Sequence, residues 1–114
     1  MGKGNEETKD LPTMGRERTI DMLQNMFERV VEAVMEASGL PFERLSCSRD
    51  EKSVTARVVL VDALLALGMS ETMIVELSGM SQQRVNRLKN SARLRLRGLL
   101  GKTMRKEVGD AFGV

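Results

Sequence analysis

"GMSETMIVELSGMSQQRVNRL" (68–88) carries the tripeptide Gly-Met-Ser twice, at Gly68–Ser70 and again at Gly79–Ser81. In each copy a glycine follows an apolar run, a methionine comes next, and a serine precedes a new run. Glycine ends a helix cheaply in the left-handed conformation, serine is a favoured N-cap, and a methionine between them can plug the underside of the turn. The order predicts two helix corners, with helices over 70–78 and 81–100. Glu71 suits the positive start of the first of these.

The second corner has a stricter pattern. Counting Glu71 as position one, a helix-turn-helix expects an aliphatic residue at four, a small one at five, Gly at nine, and aliphatic residues at ten, fifteen and eighteen. Ile74, Gly79, Met80, Val85 and Leu88 fit, while Val75 is somewhat large for position five. Such spacing crosses two helices so that the second projects, and a projecting helix fits the major groove of DNA. Val85, Leu88, Ala92, Leu96 and Leu99 form its expected inward stripe. Outward lie Gln83, Asn86, Asn90, Arg93 and Arg97 on one side, and Arg84, Arg87, Ser91 and Arg95 on the other. Gln, Asn and Arg bind base edges bidentately.

Upstream, "SRDEKSVTARVVLVDALLALG" (48–68) is apolar on nearly every side of a helix and predicts a central buried helix over 50–67, capped by Ser48 or Asp50. Its Asp62 is expected to pair with an arginine or a helix end. The run "VVLV" could form a strand, but no partner strand with an alternating pattern exists, so a sheet is rejected. Residues 41–46 read as a short helix opened by Pro41. Over 16–38, Ile20, Leu23, Phe27, Val30, Val31 and Val34 recur at helical spacing opposite a charged face, predicting a long amphipathic helix. Met22, Met26, Ala37 and Met35 widen its apolar sector, enough to pack on two surfaces: both within the domain, or one on a second copy of the chain. Residues 1–15 read as a flexible arm and 101–114 as a C-terminal tail. The expected fold is all-α, a single small helical domain over 16–100 with a helix-turn-helix preceded by a long amphipathic helix.

Composition narrows the function. The 114 residues hold no histidine and one cysteine, which excludes a zinc cluster, histidine-based catalysis and an internal disulfide. Cys47 is expected to be a small buried residue. No apolar run is long enough for a membrane span and the N-terminus lacks an apolar signal region, so the expected location is cytoplasmic. Charge is unevenly spread. Residues 1–80 carry nine Lys/Arg and fourteen Asp/Glu, a net of −5, whereas 81–114 carry nine and two, a net of +7. From Arg84 to Lys106 the basic residues meet no acid, a field that attracts a polyanion and makes binding salt-sensitive.

Residues 42–88 resemble the C-terminal DNA-binding domain of the replication initiator DnaA, of the Trp-repressor-like helix-turn-helix group. The match lies in Leu45, Ser48-Arg49, Val54, Ala56-Arg57, the spacing to Ile74, then Gly79 and Val85. It implies a helix pair reading the major groove, with Arg49, Lys52 and Arg57 approaching the phosphate backbone. Where that family has an Arg-Asp-His segment that determines its box, this chain has Met80-Ser81-Gln82, so the box is not the expected target. "GLLGKT" (98–103) ends like a phosphate loop but lacks the first glycine and a preceding strand. The last stretch also looks like sigma-factor region four and LuxR-type regulators, in Ala92-Arg93, Leu96-Arg97 and Leu99-Leu100; a sigma-like domain would also contact RNA polymerase.

The sequence therefore predicts a non-enzymatic protein that binds double-stranded DNA sequence-specifically, as a transcriptional regulator or in the service of a mobile element. Gln82, Gln83, Arg84, Asn86, Arg87 and Asn90 are the expected base contacts. Ser81, Lys89, Arg93, Arg97, Arg49, Lys52 and Arg57 are the expected phosphate contacts. A homodimer through 16–38 is expected to read two half-sites, with no cofactor, metal, membrane or small-molecule substrate. The rival is a protein-interaction module, sigma-like or adaptor, that lays the basic C-terminal helix on an acidic partner. RNA binding is disfavoured because three phenylalanines are the whole aromatic complement.

Overall fold

The structure, a computed structural model, describes residues 2–114, with side chains from residue 18 onward. Among these residues there are six helices and no strand: α1 (Gly2–Ser38), α2 (Phe42–Cys47), α3 (Glu51–Ala66), α4 (Glu71–Ser78), α5 (Gln82–Arg95) and α6 (Leu99–Phe112). The all-α class read from the sequence is the class observed. No helix among the described residues is long and apolar enough to cross a membrane. The arm expected over 1–15 falls on side chains outside those described, and the backbone there continues α1 back to Gly2.

α3 is the axis of the domain, because nearly every side of it is apolar. Val58, Val59, Val61, Ala63 and Leu64 are fully buried, and α1, α2, α4, α5 and α6 all pack against it. Its start is fixed by Asp50, whose carboxylate accepts the Ser53 backbone N–H at 3.2 Å and the Ser53 hydroxyl at 2.7 Å. Hydroxyls of Ser48 and Ser53 hold the Asp50 carboxyl well below the usual carboxylate range. The N-cap is thus charged at any ordinary pH and favours the positive helix end.

α1 presents Val30, Val31 and Val34 to α3 and α6. Met26, Met35 and Ala37 also pack on this core, so most of the Met-rich flank that could have met a second copy is taken up within the chain. Ile20 and Met22 remain exposed.

Two expectations about the C-terminal third are corrected. The helix expected over 81–100 ends at Arg95, and the expected tail over 101–114 is mostly helix α6. The reason is burial: Gly98, in extended conformation, redirects the chain. Met104 and Val108 can then enter the core at 2% and 1% exposure, against α1 and α3. Arg105 Nε donates to Asp62 at 2.7 Å, giving that carboxylate its expected arginine partner. The corner is tight. A Cβ on Gly101 would lie 2.3 Å from the Arg95 carbonyl oxygen, so this glycine serves close helix approach. Leu99, expected on the inward stripe of a longer helix, instead opens α6 and is 83% exposed. Cys47, expected to be buried, is exposed at the end of α2.

Candidate nucleic-acid interface

The pair α4 and α5 is held from beneath by Ile74, Val85, Leu88 and Met69, all buried, with Val75, Met80 and Ala92 half-buried beside them. Gly79 between them is left-handed, at φ 76°. Ser81 then caps α5, its hydroxyl accepting the Arg84 backbone N–H at 3.1 Å. That cap leaves α5 starting at the surface with free backbone donors beside it.

The expected base-contacting residues divide into three neighbourhoods. Gln83, Asn86, Arg87 and Asn90 are exposed and line one shallow depression together with Ser91. Asn90 Nδ2 donates to Asn86 Oδ1 at 3.4 Å, a contact between exposed amides that a base edge can replace. Gln82 is drawn toward α4, with Nε2 at 3.4 Å from Glu71 Oε1. Arg84 is half-buried and turned inward, Nη2 donating to the Ser46 carbonyl at 3.3 Å. It borders a partly open cavity of about 160 Å³ with Phe27, Phe42, Leu60 and Met80, and so turns toward α2 where a base contact was expected.

The expected phosphate contacts are also scattered. Arg93 and Arg97 are exposed, Arg97 in the turn after α5. Arg49 is exposed in the α2–α3 loop. Lys52, in the first turn of α3, extends its ammonium over Gly39 at the α1–α2 corner. Lys89 pairs with Glu71 at 3.0 Å. Ser81 already spends its hydroxyl on the helix cap.

Arg57 is a correction. It is 6% exposed, and its guanidinium donates to the carbonyls of Leu45 at 2.8 Å and Ser48 at 2.6 Å. It therefore satisfies the chain end of α2, where helix carbonyls lack donors, and cannot reach a phosphate. Burial lowers its pKa, the nearby Arg84 charge lowers it further, and Asp50 opposes both. The sequence carries a signal for this burial. An arginine in the middle of a helix that is apolar all round has nowhere to go but the interior, and it must meet acceptors there.

Glu71 was missed as part of the site. Counting acids along α5 finds none, yet Glu71 from the first turn of α4 lies against both Gln82 and Lys89. Only the helix crossing brings it there. Comparisons with protein-family models, curated proteins and solved structures give no match for the chain.

Proposed function

We propose that the chain is a cytoplasmic, non-enzymatic helix-turn-helix protein that binds double-stranded DNA sequence-specifically, as a transcriptional regulator or in the service of a mobile element. One observation carries the reading. Gln83, Asn86, Arg87 and Asn90 share an exposed face of α5, on a helix with no acid of its own. These side chains match base edges, and a helix about 10–12 Å across enters a major groove about 12 Å wide. The resemblance of 42–88 to the initiator's DNA-binding domain points the same way.

Within this reading the contacts are sharper than the sequence implied. Gln83, Asn86, Arg87 and Asn90 read bases; Arg93, Arg97 and Arg49 hold phosphates. Gln82 and Lys89 join only by leaving Glu71. Arg84 supports α5 from inside. Ser81 orients the helix start rather than offering its hydroxyl.

The test is titration of a pool of random duplexes at two salt concentrations, followed by selection of the bound sequences. Salt-sensitive binding with an enriched motif is expected. Gln83→Ala and Asn86→Ala should each relax one position of that motif, by about 1–3 kcal/mol of discrimination. Arg97→Ala should weaken all sequences alike and lower the salt slope by about one. No salt-sensitive binding rejects the reading. Binding that ignores Gln83→Ala and Asn86→Ala would favour the basic helix as a docking element for an acidic protein.

A further inference from the structure

Three leucines at the α5–α6 corner are uncovered: Leu94 at 75%, Leu99 at 83% and Leu100 at 40% exposure. They border a groove whose lining also includes Glu51 from α3 and Arg95 from α5. Glu51 and Arg95 make none of the ion pairs seen among the described residues. A Cβ on Gly101 would meet the Arg95 carbonyl oxygen, so the two helix ends already approach closely at this corner.

We propose that this corner is where a second copy of the chain docks about a twofold axis. A twofold contact requires a self-complementary surface. Here the three exposed leucines line a groove of mixed polar and apolar character, so Leu99 of each copy can pack against Leu94 and Leu100 of the other. An acidic residue and a basic residue also flank one groove, so each Arg95 can meet the Glu51 of the other copy. A purely acidic or purely basic partner would satisfy one of them and repel the other. This is a larger apolar surface than the pair Ile20 and Met22 left exposed on α1.

Three leucines and their rim fall short of the roughly 800 Å² per partner of a stable interface. Association of free copies is therefore expected to be weak and visible only at high concentration.

The experiment is sedimentation equilibrium of the full chain without DNA, up to millimolar concentration. Wild type is expected to dimerise reversibly. Leu99→Glu, an acid at the start of α6 that the helix tolerates, should raise the dissociation constant on the order of tenfold or more with an unchanged melting curve. Arg95→Glu should weaken the dimer, and Glu51→Arg combined with Arg95→Glu should restore it. A strict monomer overturns the proposal. So does a dimer insensitive to Leu99→Glu, including one lost on Met22→Glu, which would place the contact on α1. Dimerisation without DNA binding defeats the functional reading alone; DNA binding by a chain that never dimerises defeats this proposal alone.

Discussion

The two Gly-Met-Ser corners share a tripeptide, a left-handed glycine and a serine cap, yet they differ in depth. At the first, Gly68 N–H returns to the Leu65 carbonyl and Met69 N–H to the Leu64 carbonyl, both at 3.0 Å. This is the Schellman pair, in which the residue after the glycine tucks back on the helix, and Met69 is 4% exposed. At the second, Gly79 N–H returns to Val75 at 3.0 Å, but the Met80 N–H is taken by the Ser78 hydroxyl at 3.1 Å. Met80 is only half-buried, at the edge of the partly open cavity that Arg84 borders. The serine caps are nearly equal, 3.2 Å to Met73 N–H and 3.1 Å to Arg84 N–H. The three residues therefore decide that one helix stops and the next starts, while the surrounding residues decide the hydrogen bonds of the turn and whether the corner is core or surface. The first corner supports the domain; the second presents α5.

The sharpest way to break this contrast is to truncate both methionines. Met69→Ala should cost about 2–4 kcal/mol, as for a well-packed core methionine. Met80→Ala should cost less than half of that, because its side chain is partly in water and borders existing empty space. Denaturant unfolding of the two variants measures the gap, and equal losses would mean that the two corners are packed alike.

The glycines come next. At φ 96° and 76° both sit where an L side chain is strained, and neither has an atom within 4 Å of a built Cβ. Gly68→Ala and Gly79→Ala should thus lose similar stability, about 1–2 kcal/mol each, from backbone strain alone. They should part company in DNA titrations at a temperature where both are folded. On the proposed reading, Gly79→Ala should re-aim α5 and weaken binding, whereas Gly68→Ala should leave it near wild type.

The smallest expected stability effect is that of Glu71→Gln, which touches both corners. Its pair with Lys89 is solvent-exposed, so stability should change by less than about 1 kcal/mol. On the proposed DNA-binding reading, affinity should rise and become more salt-dependent, since the change removes one acid beside the proposed interface and frees Lys89 for a phosphate. An unchanged salt slope would place Lys89 outside the contact.

Much of the fold was legible because it follows from periodicity and punctuation. The central helix is readable since no side of it is polar enough for water, and both corners are readable since glycine and serine have strong positional preferences. The helix α6 was not. Its residues are polar and glycine-containing, and the apolar spacing of Leu100, Met104 and Val108 is masked because Leu96, Leu99 and Leu100 also fit a continuation of α5. Within the candidate site, Gln83, Asn86, Arg87 and Asn90 were legible from their helical spacing opposite Val85 and Leu88. Arg84 lies at the boundary of the two faces, where periodicity does not say which way a long side chain turns.

By itself, the sequence determined an all-helical chain, the apolar axis, the places where helices stop and start, and a basic acid-free helix after the second corner. These depend on residues close together in the chain. Tertiary structure alone decided that Arg57 closes α2, that Glu71 reaches Gln82 and Lys89, that Arg84 faces a cavity, and that Leu94, Leu99 and Leu100 stay uncovered. Each of these depends on which distant backbone carbonyl, carboxylate or apolar surface the folded chain brings within a few ångströms. Guanidinium and ammonium groups on long side chains go wherever an acceptor waits, and the helix crossings determine where those acceptors are.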